Sequence, residues 1–175
     1  MRSRIRTPIA LMSLVSLLGG SLGLVPALAQ PLEIVDANGS KIGSDVIGAD
    51  EAGFVRVAFN LDGRVFTLLV TQNDVVSDLR LIFASSDCTG NPFLLDTSPS
   101  LVTPTAVVPP GNTVYLPVLN SSSQSITVGS LMSSDGTCEA IPEPFELPVF
   151  PAQGIADLNT QFIPPFRVQF VPPRQ

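Results

Sequence analysis

Between residues 54 and 88, apolar and polar positions alternate in two runs around Asp62-Gly63, and no other stretch of the chain is patterned as clearly. Asp-Gly favours the positive-φ positions of a type I′ turn, because Gly adopts them freely and Asp tolerates them better than most residues. Pairing Leu61 with Arg64 then sets Phe59 opposite Phe66, Val57 opposite Leu68 and Val55 opposite Val70, all on one apolar face. The other face carries Asn60 with Val65, Ala58 with Thr67 and Arg56 with Leu69, a mixed set suited to partial exposure. A third apolar run, 79–84, follows the polar Gln72-Asn73-Asp74 and leads to Cys88, which predicts a three-stranded meander ending at a cysteine.

The same reasoning predicts a hairpin upstream, where Asn38-Gly39 gives a second I′ signal with Asp36 opposite Lys41 and Val35 opposite Ile42. Further strands are expected at 113–118 and 125–132, the latter with Ile126, Val128 and Ser130 on one side. Residues 96–110 contain four prolines and read as an extended connection, with Ala106-Val107-Val108 suited to an edge. From 141 to 175 prolines recur among apolar residues. Proline donates no ladder hydrogen bond, so this tail is expected to hug the surface or form edge strands, best at 166–170. Its phenylalanines, Phe145, Phe150, Phe162, Phe166 and Phe170, are expected to pack on the core. One internal echo stands out: residues 81–88 and 129–138 each read as a strand followed by Ser-Ser-Asp and a cysteine. Duplication and coincidence in a Ser-rich chain both account for it.

The N-terminus changes where this β-rich chain is placed. Arg2, Arg4 and Arg6 precede an apolar run from 9 to 25 and then Ala27-Leu28-Ala29, the pattern of a secretory signal peptide cleaved after Ala29. The run is short for a membrane span and is interrupted by Gly19, Gly20 and Gly23. The expected product, 30–175, is one secreted or periplasmic β domain with a Pro-rich C-terminal segment and no membrane span. Cleavage removes three of nine basic residues and none of fifteen acidic ones, leaving a formal charge of −9. That charge argues against nucleic acid as a partner. Cys88 and Cys138 are the only cysteines, and export to an oxidising compartment predicts a disulfide between them.

Chemistry is hard to find. With no His, the chain lacks the commonest general base, Ser-His-Asp triads and most zinc sites. It has no G-x-S-x-G, phosphate-binding glycine loop or dinucleotide fingerprint. The run from Asp36 through Asn38 and Ser40 has oxygens at calcium-loop spacing, but Lys41 stands where an EF-hand needs Gly and Ile47 where it needs Glu, so it reads as a turn. Asp87, Asn91 and Asp135 could approach a cation near the disulfide, yet their spacing matches no calcium loop. A paired-carboxylate site remains open because Asp and Glu total fifteen, although Asp50, Glu51, Asp74, Asp78, Asp87 and Asp135 all fall in loop-like segments, where a solvated side chain is the ordinary reading. No catalytic residue, cofactor or metal ligand is assigned.

Taken together, DANGSKIG (36–43), the hairpin around Asp62-Gly63, SSDCTGNPF (85–93), PGNTVY (110–115) and DLNTQF followed by PPFRV (157–168) resemble an uncharacterised group of bacterial exported β-rich proteins. Similar domains occur at the ends of fibre-like or collagen-like chains. The resemblance covers most of 30–175 and rests on turn and strand signatures, so it implies a β fold without implying an activity. The expectation is therefore an all-β protein, an antiparallel sandwich or partly open barrel with one disulfide. Its expected role is that of a non-enzymatic exported binding or structural module, meeting a protein or glycan at the cell surface. The alternatives are a small secreted hydrolase using paired carboxylates and a fibre-tip domain of an oligomeric assembly.

Overall fold

The computed structural model describes residues 31–61, 63–109 and 112–171. The predicted leader, Asp62 of the central turn, Pro110-Gly111 and the last four residues lie outside them. Thirteen strands and one short 3-10 helix make up the regular structure of the described residues. The central hairpin, β4 (Val55–Leu61) and β5 (Arg64–Val70), pairs in the expected register from Leu61↔Arg64 to Val55↔Val70. Val57, Phe59, Phe66, Leu68 and Val70 are buried, and the Phe59 and Phe66 rings stack 5.4 Å apart.

The meander ends differently from the expectation. The strand beside β5 is the two-residue β6 (Val75–Val76), while β3 (Asp45–Ala49) flanks β4, giving the sheet order β3-β4-β5-β6. β7 (Leu81–Phe83) crosses to another sheet. Ser77 guides the crossing: its Oγ donates to Leu79 O and accepts from Val107 N, and Leu79 makes a single parallel bridge to Ala106.

The upstream hairpin forms one residue out of the expected register. β1 (Leu32–Val35) and β2 (Lys41–Ile42) pair as Val35↔Lys41 and Ile34↔Ile42. Asp36 causes the shift. Its buried carboxylate accepts from Asn38 N and Ser40 N, and Gly39, at φ 84°, takes the left-handed position of a three-residue loop closed by Asp36 N to Ser40 O. A one-residue slip reverses every side chain, and here it turns Ile34 and Ile42 together into the core. β13 (Arg167–Phe170) covers the other edge of β1, so part of the tail is the expected edge strand.

The larger correction concerns the first half of that tail. Residues Cys138–Asp157 form β12, the longest strand, and it runs through the middle of a six-stranded sheet. It pairs successively with β11 (Gln124–Met132), β8 (Phe93–Leu95) and β10 (Thr113–Pro117), with β9 (Ala106–Val108) at the outer edge. Proline is tolerated because the ladder uses its carbonyl: Pro148 O accepts from Asp96 N and Pro151 O from Val118 N. β7 and β8 also pair with each other, so β11, β7, β8 and β12 close into a ring. The antiparallel ladders and the Cys88–Cys138 disulfide thus give the expected all-β architecture.

Candidate binding cleft

Of three packed clusters among the described residues, one joins all three sheets and two lie on strands of the six-stranded sheet. The first joins Val57, Phe66 and Leu68 of the hairpin to Val107, Val114 and Leu116 of β9 and β10. Towards the hairpin tip this core is left open as a cleft of about 320 Å³. Phe59, Phe66, Val114 and Leu158 form its floor, and Lys41, Ser44, Asn60 and Gln161 lie on its rim.

Each wall is held by local chemistry. Gly43, at φ 66°, lies so close to β4 that an added Cβ would sit 2.4 Å from Val57 Cγ1 and 2.6 Å from Ala58 O. That approach brings Ser44 into place, where its N–H and hydroxyl both donate to Ala58 O at 2.7 and 3.0 Å. The opposite wall is the 3-10 turn Leu158–Thr160, capped by Asp157, whose Oδ1 accepts from Asn159 N. Phe162 N closes onto Leu158 O, and Ile163 N donates to Asp36 Oδ2, tying this wall to the β1–β2 loop. DANGSKIG and DLNTQF, read separately as turn signatures, therefore meet at one place.

Asp36 is held below the usual carboxylate range: burial pushes its carboxyl up, but N–H donors from Ile163, Ser40 and Asn38 outweigh it. Asp87 is lowered by the Thr89 and Ser85 hydroxyls, Asp96 by those of Ser123 and Ser98, and Asp135 by the backbone and side chain of Thr137. Hydrogen bonds hold these four acids as carboxylates, Asp87 and Asp135 from within their own loops and Asp36 and Asp96 also from Ile163 and Ser123, so none is tuned to act as a general acid at neutral pH. Asp78 pairs with Arg56 and Glu139 with Arg80, each at 2.7 Å. Among the described residues no group of three or more His, Cys, Asp or Glu could hold a metal ion. Nor is any helix among them long and apolar enough to cross a membrane.

Cys88 and Cys138 come together with a Cα–Cα distance of 5.9 Å. The echoed segments prove to be neighbours, since β7 pairs with residues 130–132 of β11. Ser130, fully buried, accepts from Cys88 N and donates to Ser85 O, which fixes the turn that carries Cys88. Sequence reasoning placed Lys41, Asn60 and Gln161 only as hairpin or turn positions and gave Ser44 no place, so none was assigned to a cleft. The apolar pair Phe59 and Phe66 was the available signal, but its covering by Leu158 and Phe162 depends on distant pairing. No family model, curated protein or solved structure matches the chain.

Proposed function

We propose that the chain is a non-enzymatic exported binding module whose ligand seats in the cleft between the central hairpin and the Leu158–Thr160 turn. The observation that carries this reading is the cleft itself: an apolar floor, a polar rim and walls fixed by backbone hydrogen bonds. Concave sites of this composition are the usual setting for ligand recognition. The leader pattern and the disulfide support export. A cell-surface protein or glycan carrying a suitable group is the partner class this reading favours.

The test is capture from the native culture by residues 30–175, run beside an Ala156→Phe variant, which enlarges a side chain that lines the cleft and is shown folded by circular dichroism. A saturable partner held by the natural chain and lost by the variant is the expected result. Capture that is identical for both would remove the cleft from the account.

A further inference from the structure

Lys41 gives the cleft a charge opposite to that of the chain around it. Acidic residues outnumber basic ones fifteen to nine, yet among the described residues lining the cleft Lys41 is the one charged side chain. The ion pairs found among the described residues, Arg56–Asp78 and Arg80–Glu139, involve neither Lys41 nor any other cleft residue. Lys41 is exposed, so its ammonium stays hydrated while its stem borders the apolar floor. Resting on the binding-module reading, we propose that the cleft selects an amphipathic anion. The apolar body lies on the Phe59–Phe66 stack and Leu158, and the acidic group meets Lys41 at the rim.

Size and charge both limit the choice. A volume of about 320 Å³ is at the small end of ligand sites, which run from roughly 300 to 1,000 Å³, and suits a short alkyl chain or a single ring. A cationic amphipath of the same length would meet Lys41 with no carboxylate among the described lining residues to receive it. A neutral one would gain the floor but not the charge. The floor therefore supplies affinity and Lys41 supplies the sign.

The experiment titrates octanoate, 3-phenylpropionate, octanol and octylamine into labelled residues 30–175 and follows backbone amides by NMR. Both carboxylates test the shared chemistry, and their relative affinities separate an alkyl from an aromatic source. The expected result is saturable binding of at least one carboxylate, shifting the amides of Ser44, Asn60 and Gln161, with octanol weaker and octylamine weaker still. Lys41→Gln should weaken the carboxylate about threefold and Lys41→Glu about tenfold, as for an exposed charge pair, while leaving octanol unchanged. Binding should also weaken with added salt. Octylamine binding as tightly as octanoate, an unchanged affinity in Lys41→Glu, or no saturable carboxylate binding would overturn the proposal. If a partner is still captured by the natural chain and lost by Ala156→Phe, the ligand class fails and the module survives. If carboxylates bind but no partner is captured, the ligand class stands and the surface-partner reading falls.

Discussion

The two ends of the molecule are held together in different ways. Around the β4–β5 hairpin, one cluster of the described residues contains thirteen buried apolar side chains drawn from all three sheets. The strands of the β11–β7–β8–β12 ring are packed by two smaller clusters, Leu81, Phe83, Leu94 and Ala152 with Ala106 and Val108 of β9, and Ile82, Val128 and Val149. To these divided clusters the ring adds a covalent link, the buried Ser130 hydrogen bonds and proline carbonyls used as ladder acceptors. A large apolar core tolerates an open side, and the cleft is found there. The divided core is closed on itself and stapled.

The largest expected effect removes the staple. Replacing Cys88 and Cys138 together with Ala releases a link spanning 50 residues, a loss of up to about 4 kcal/mol in the chain-entropy account, read from urea unfolding. Next comes the hairpin core, where Val57→Ala should cost about 3 kcal/mol, against about 2 kcal/mol for the size-matched Val128→Ala in the ring. Equal losses for these two would erase the contrast in packing. Gly129→Ala should cost about 2 kcal/mol, because the new Cβ would lie 2.5 Å from both Ala84 O and Ser85 O and push β11 off the segment that Ser130 anchors. Thermal unfolding of Gly129→Ala and Gly90→Ala, the latter with no atom near the added Cβ, separates crowding from backbone strain.

Acid should have the smallest effect. Asp36, Asp87, Asp96 and Asp135 all have folded pKa values below their ordinary ones. Their contribution is present in full above the unfolded carboxylate pKa of about 4 and is lost as pH falls through that value towards the lower folded ones. Stability should therefore be level from about pH 7 to 5 and decline below. Asp36→Asn removes the charge and leaves one oxygen where the three N–H donors use two, so it should lower stability at neutral pH while making the acid decline shallower. An unchanged slope would show that Asp36 titrates alike in both states.

The same contrast explains what could be read from the chain. The β4–β5 hairpin specifies itself through turn residues and alternation a few positions apart, so its register is fully legible. The β1–β2 hairpin was read correctly as a hairpin but one residue out, because the Asp36 carboxylate selects a longer loop than Asn-Gly alone would. β12 is hidden by its prolines, which predict an edge because they donate no ladder bond, whereas Pro148 and Pro151 need only their carbonyls. The meander failed at Ser77, whose bond to Val107 carries the chain to another sheet. The disulfide was legible from two cysteines and the expectation of export. The cleft was not, since Lys41, Phe59 and Leu158 meet only when β2, β4 and the turn that follows β12 are already assembled.

The most direct test of the account is hydrogen exchange of residues 30–175 before and after mild reduction. The account predicts that reduction deprotects amides near Ile82, Val128 and Val149, while those of Val57, Phe66, Leu68 and the cleft residue Ser44 keep their protection. Simultaneous loss in both regions would show that the hairpin core, and the cleft built on it, depend on the staple after all.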